Sequence, residues 1–415
     1  MGRNVIFVVF AALCAVAITA CDHVAELDDS NGSDTDTSTD TSDTGNDPLP
    51  PPMDAMDVIF VVDDSTSMSQ EQSILATSVF HLIASLTTPP PDWPYPAVDD
   101  VRVAVVTTNM GFSAGGESGD EYWPGDMVPD CQGFGDDGRF QGIGVEDVTI
   151  ADGVIPCWDA PGQCPPGWEC TEGFCTGAVG NVVECPTLDA DWAEYSGDPD
   201  GSLALEVACL ANQGTNGCGF EQQLASAARA GQREDQAPFF RENAGLGIIV
   251  VSDEDDCSMD DAAGLFATDE VADQALMKVN IACGEHPEFL HAPESFVEAF
   301  AAAKGGIEAA VFFAAIVGVP PTPACQGNGA LLGDCLDQDE MQLVPTSVGT
   351  TWLYDPACTR FIGSEEVTKA YPGRRFVALA EEMGRNGYAY SICNENWMPA
   401  MEAFASILAG AVAEF

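Results

Sequence analysis

The chain has 415 residues, 46% of them apolar, enough to build a buried core in one elaborated domain or in two to three simpler ones. Its 67 acidic side chains against 13 basic ones give a formal charge of −54. Such a chain repels phosphate backbones, so nucleic acid is a poor candidate partner; the acidity suits a saline or extracellular setting, with cation binding accounting for only part of it.

Residues 1–20 read as an export signal. Arg3 supplies the positive start, and Val5 to Ala17 is an apolar run too short to span a bilayer comfortably. The sequence Ile18-Thr19-Ala20-Cys21 resembles the lipobox of bacterial lipoproteins, which implies that Cys21 is acylated and anchors the chain to a membrane. Asp22 resembles an inner-membrane retention signal of enteric bacteria, a rule that varies between lineages. The expected location is therefore the cell envelope, with the outer membrane or cell surface favoured over the periplasmic face of the inner membrane.

Residues 21–53 form an acidic tether. Asp28 to Asp47 is dominated by Asp, Ser, Thr and Gly and is followed by Pro48, Pro50, Pro51 and Pro52, a composition with too little apolar surface to offset its ordering entropy. The Asp34-x-Asp36 spacing hints at a calcium loop. Thr39 and Gly45 stand where that loop needs glycine and glutamate, so a linker is the better reading.

From residue 54 to 415, short apolar runs alternate with amphipathic stretches, the pattern of an α/β fold with a doubly wound, mostly parallel sheet and helices on both faces. Val58 to Val62 is a continuous apolar run, as in a strand covered on both faces. Leu75, Val79, Leu82, Ile83 and Leu86 make one helical face, and Val101 to Val106 a second strand ending at Thr107 and Thr108. Helical spacing returns at Leu203 to Ala211 and around Phe220 to Ala230, on either side of the turn Gly214-Thr215-Asn216-Gly217. Leu246 to Val251 is a third buried strand. A helix at Ser295 to Lys304, a strand at Ala309 to Val317, a helix at Phe376 to Met383, a strand at Tyr388 to Cys393 and a helix from Met398 complete the series. The spacing of that last helix, with Glu402 and Glu414, points to packing on the sheet rather than to membrane contact.

Two cysteine-bearing stretches interrupt the rhythm, a longer one at about 109–200 and a smaller one at about 320–358. Sixteen cysteines less Cys14 and Cys21 leave fourteen, an even number that allows up to seven disulfides in an exported protein. The longer stretch is expected to be organised in part as a disulfide-rich lobe, and its Cys164 to Cys175 segment resembles small knot-like repeats of exported bacterial proteins. Zinc is the weaker alternative, because there is no Cys-x-x-Cys pair and His23, His81, His286 and His291 lack finger spacing.

Where the first strand ends, Asp63-Asp64-Ser65-Thr66-Ser67 fits Asp-x-Ser-x-Ser. This segment, with Thr215 in a later loop and Asp253 after the strand Ile248 to Val251, resembles the metal-ion-dependent adhesion site of von Willebrand factor A domains. The resemblance runs in order from about residue 54 to the C-terminus. It implies that Asp63, Ser65, Ser67, Thr215 and Asp253 hold a divalent cation at the sheet edge and that a partner protein's acidic side chain completes the coordination. With so few carboxylates Mg²⁺ is favoured, and Ca²⁺ or Mn²⁺ also fits. Asp64, Asp255 and Asp256 are candidates for a second ion or an outer shell, and Thr107 or Thr108 for an alternative hydroxyl ligand.

The same Asp and Ser residues could instead cap the helix that follows them. Asp64 departs from a frequent glycine, and the cysteine-rich insertion stretches the distance from Asp63 to Thr215. Cys209, Cys218 and Cys257 flank the site and read as scaffold staples, or as braces on the metal loops. The expected function is a membrane-anchored extracytoplasmic binding or adhesion module. A metal-dependent hydrolase and an inert envelope lipoprotein are the alternatives, and no catalytic motif supports the former.

Overall fold

A computed structural model describes residues 53–111, 131, 133–150, 157, 164, 168–172, 174–177, 182–195, 197 and 202–414. The export signal, Cys21 and all of the tether but Met53 lie outside the described residues. So does much of the cysteine-rich insertion. The described residues belong to one compact unit.

Seven strands make the main sheet: β1 (Ala55–Val62), β2 (Val101–Thr107), β3 (Ala193–Tyr195), β4 (Ala244–Val251), β5 (Val311–Val317), β6 (Gly327–Asn328) and β7 (Gly387–Ser391). Their order is β6-β7-β5-β4-β1-β2-β3, parallel from β7 through β2, with β3 and β6 added antiparallel at the two edges. The six longer helices are α1 (Ser69–Thr87), α2 (Ser202–Leu210), α3 (Gln223–Gln232), α4 (Ser295–Ala302), α5 (Arg374–Glu382) and α6 (Met398–Glu414).

Alternate residues of each central strand enter different cores. Val58, Phe60 and Val62 pack with Leu75 and Val79 of α1, Val207 of α2 and Phe404 of α6. Ile59 and Val61 pack with Leu224 of α3, Phe296 and Phe300 of α4, and Phe376 of α5. Each strand is thus covered on both faces, which is why these segments carry unbroken apolar runs instead of the alternation of a half-exposed strand. No described helix is long and apolar enough to cross a membrane; α6 spends its apolar face, Phe404 and Leu408, on the sheet core.

The elements anticipated from apolar spacing are present within a few residues of their expected limits. The two antiparallel edge strands were not anticipated. Neither were the hairpins Pro345–Val348 with Thr351–Tyr354 and Cys358–Ile362 with Glu365–Ala370. Strands of two to six residues at an edge carry too little pattern to stand out from a loop.

All fourteen cysteines pair. Cys157–Cys170 and Cys164–Cys175 staple the insertion to itself, while Cys131–Cys218 and Cys185–Cys209 tie it to the α2–α3 loop and to α2. Cys257–Cys283, Cys325–Cys335 and Cys358–Cys393 secure later loops. The sulfurs of Cys157, Cys164 and Cys175 lie close together, but each is consumed in a disulfide, which leaves no thiolate there for zinc.

Candidate metal centre

β1 and β4 are neighbours in register, with Val62 opposite Val251, and the chain leaves β1 toward β2 on one side but reaches β4 on the other. Such a reversal of strand order opens a crevice beyond the carboxyl ends of the strands. Asp63 follows β1 and Ser252-Asp253 follows β4, so the register alone delivers both aspartates side by side, with the Asp63 amide donating to the Val251 carbonyl at 3.1 Å.

The loop after β1 is held by its own side chains. The Ser65 amide donates to Asp63 Oδ1 at 2.8 Å, and the Ser252 hydroxyl donates to Asp63 Oδ2 at 2.6 Å. Ser65 Oγ and Ser67 Oγ are 3.2 Å apart, and Ser67 Oγ donates to Asp253 Oδ1 at 3.1 Å. Asp63, Ser65 and Asp253 are buried while Ser67 stands exposed at the rim. The helix-capping explanation fails here: Ser65 occupies the N-cap of the short turn before α1 but makes no side-chain cap bond. The hydroxyls are turned toward the carboxylates instead.

The third loop is clamped against the first. Gln72 of α1 donates to the carbonyls of Asp63 (2.8 Å) and Gly214 (2.7 Å) and accepts from the Gly214 amide at 3.1 Å. Three residues on, the Gly217 amide donates to the Asp64 carbonyl at 2.7 Å. Thr215 lies between these two pinned glycines, half-buried. Gly214 adopts a φ of +80°, and a Cβ on Gly217 would fall 2.1 Å from the Asp64 carboxyl carbon, so glycine is required at both ends of the turn.

Of the remaining candidates, Asp64 is buried beside Thr108, whose hydroxyl makes a weak contact with its carboxyl short of ordinary hydrogen-bond geometry. Thr107 donates to Asp136 Oδ2 at 2.5 Å. Asp255 accepts from the amides of Asp256 and Arg375, and Asp256 accepts from Arg375 Nε at 3.0 Å, from Ser258 Oγ and from the Leu224 amide. Asp255 and Asp256 therefore fasten α3 and α5 to the loop after β4.

Two acids that sequence reading missed join the cluster, Glu221 at the start of α3 and Glu254 beside Asp253. Glu221 is 3% exposed. Nothing in their local sequence singles them out; they converge because Glu221 follows the clamped Thr215 loop and Glu254 follows β4. Among the described residues, no Lys, Arg or His forms an ion pair with Asp63, Asp64, Glu221, Asp253 or Glu254.

The electrostatic result is strain on every member. Burial, against hydrogen bonds from Ser252 and Ser65, raises the carboxyl of Asp63 above its usual range. Burial and then the Asp63 charge push Asp253 well above it. Glu221 is driven up by burial, Glu254 and Asp63. Burial, Asp63 and Asp136 take Asp64 to about 7, and burial with Asp63 takes Glu254 to about 7. Buried like charges without a partner are costly, and a cation is the direct remedy. Asp63, Asp253 and the Ser65 and Ser67 hydroxyls make an all-oxygen donor set suited to a hard divalent ion that retains some water, with Thr215 on the loop clamped beside them.

No family model matches the chain, and no curated protein matches it.

Proposed function

We propose that this chain is a lipid-anchored envelope protein of the von Willebrand A type, doubly wound, that binds a partner through a divalent cation held by Asp63, Ser65, Ser67, Thr215 and Asp253. The observation that carries the reading is the arrangement of the two serine hydroxyls. They pass over the available cap position and form a line from Ser65 through Ser67 to Asp253, bridging loops 186 residues apart.

In this reading Asp63 and Asp253 supply charge at the floor, and the neutral hydroxyls leave that charge incompletely balanced against a dication. Mg²⁺ is favoured, with Ca²⁺ or Mn²⁺ as substitutes; when bound, the ion would offer an open position to a carboxylate of a partner protein. Gln72 and the Gly214–Gly217 turn hold the third loop in place, and exposed Ser67 marks the face a partner meets. Cys21 acylation and the acidic tether would set that face away from the membrane, at the outer membrane or cell surface.

Calorimetric titration of the soluble portion with Mg²⁺, Ca²⁺ and Mn²⁺ tests the site. One equivalent should bind the wild type and none the Asp63→Ala variant, and capture of a protein from envelope extracts should require the ion. Equal metal affinity in the variant would end the assignment. Turnover of a substrate with metal would favour a hydrolase, and neither binding nor turnover would favour an inert spacer.

A further inference from the structure

A pocket of about 70 Å³ adjoins the centre just described; its walls include Phe220, Glu221, Glu254, Val279, Tyr354 and Tyr371. It shares a wall with the metal loops. Glu254 is the next residue after Asp253, and the Tyr371 amide donates to the Asp253 carbonyl at 2.8 Å. Glu221 and Glu254 both line the pocket, and no basic side chain of the described residues forms an ion pair with either. Glu221 is almost wholly buried, and what remains of its surface lines this pocket. Arg375 also lines the pocket but is already spent on Asp256 and on the His291 carbonyl.

From this geometry we infer that the pocket receives an alkylammonium or alkylguanidinium group, a lysine or arginine side chain of the same partner that presents its carboxylate to the metal centre. Glu221 and Glu254 supply the negative charge, and Phe220, Val279 and Tyr354 offer apolar and aromatic lining for the methylene stem. Aromatic faces also attract a desolvated cation. A second divalent ion is less well served. The only grouping of three His, Cys, Asp or Glu ligand atoms close enough to share an ion among the described residues is the disulfide-bonded Cys157, Cys164 and Cys175. The inference deepens the proposed function and rests on it for the claim that one partner fills both positions.

The test is saturation-transfer NMR on the soluble portion with Mg²⁺ present, at constant ionic strength, using butylammonium and butylguanidinium against the neutral isostere butylurea. The cations should bind at least tenfold more tightly than the urea. Glu221→Gln should remove that preference. Leu343→Trp, which adds bulk at a pocket-lining residue outside the metal loops, should do the same while leaving the Mg²⁺ titration in place, so a folding defect in one variant does not decide the result. Asp63→Ala should lose Mg²⁺ but keep the cation preference, which separates failure of the metal reading from failure of this one. Peptides carrying Asp and Lys should outbind peptides carrying either alone in the presence of Mg²⁺, whereas spermidine matching them would point to a free polyamine and overturn the shared partner. Equal binding of butylurea, or a second equivalent of Mg²⁺ lost in Glu221→Gln, would overturn the pocket assignment.

Discussion

Asp57 and Asp63 lie six residues apart, at opposite ends of the strand β1, both at 0% exposure, and the protein treats them in opposite ways. At the amino end Asp57 accepts from Arg241 Nε at 2.8 Å and from the Arg241 amide, with Lys304 Nζ 3.6 Å away, and Arg241 also reaches Asp100. Burial raises the Asp57 carboxyl, but these cations pull against it. At the carboxyl end Asp63 meets only hydroxyls, amides and other acids. One buried aspartate is neutralised from within the chain and the other is left for something outside it, which is the difference between a structural ion pair and a site.

The largest effect that would sharpen this contrast is at Asp57. Asp57→Ala leaves Lys304 without a carboxylate and Arg241 with only the more exposed Asp100, and should lower unfolding free energy by about 3 kcal/mol in urea denaturation. Asp63→Ala, measured in chelator, should cost far less or even stabilise, because it removes repulsion. Equal losses at the two positions would erase the distinction.

Next comes the ion. Saturating Mg²⁺ at about a hundred times its Kd should stabilise the wild type by about 2.7 kcal/mol, reversibly with chelator, and leave Asp63→Ala unmoved. A thermal melt with and without chelator reads this directly.

Gly217→Ala should cost about 1–2 kcal/mol, since its Cβ would collide with the Asp64 carboxyl and push the Thr215 loop from the Asp63 loop. The sharper reading is metal affinity, expected to fall about tenfold while the sheet stays intact by circular dichroism. An unchanged affinity would remove Thr215 from the ligand set.

The last contrast is with pH. Asp64 and Glu254 hold protons in the folded protein up to about 7. Unfolded, they release them in the ordinary carboxylate range near 4. Between those limits the folded state binds more protons, so in chelator stability should fall as pH rises from about 4 to about 7. Mg²⁺ should flatten the slope. At the amino end Asp57 is raised in the same direction, but Arg241 and Lys304 oppose the shift, so its share of the slope should be the smaller; a slope that survives Asp64→Asn with Glu254→Gln would place its origin elsewhere.

Much of this contrast was legible before any coordinates. The runs at Val58 to Val62 and Leu246 to Val251 each end in acids, and a buried strand followed by Asp-x-Ser-x-Ser already suggested a cation-binding edge. The opposite end was silent. Asp57 sits inside an apolar segment, and its partners Arg241 and Lys304 are more than 180 residues away, with no local pattern to connect them. Glu221 and Glu254 were equally hidden among 67 acids. Asp255 and Asp256, which read as possible ion ligands, turn out to serve Arg375 and the α3 backbone, because an acidic run says nothing about which way each side chain faces.

The sequence by itself determined where the central strands and long helices lie, that fourteen cysteines could pair, and which short motif stands at a strand end. Those features are local, written in the periodicity and composition of a few consecutive residues. Only the tertiary structure decided which cysteines meet, which acids are neutralised, and that Glu221 and Glu254 share a pocket. These depend on strand order and register, which bring distant segments within a few ångströms and leave no mark in either segment alone.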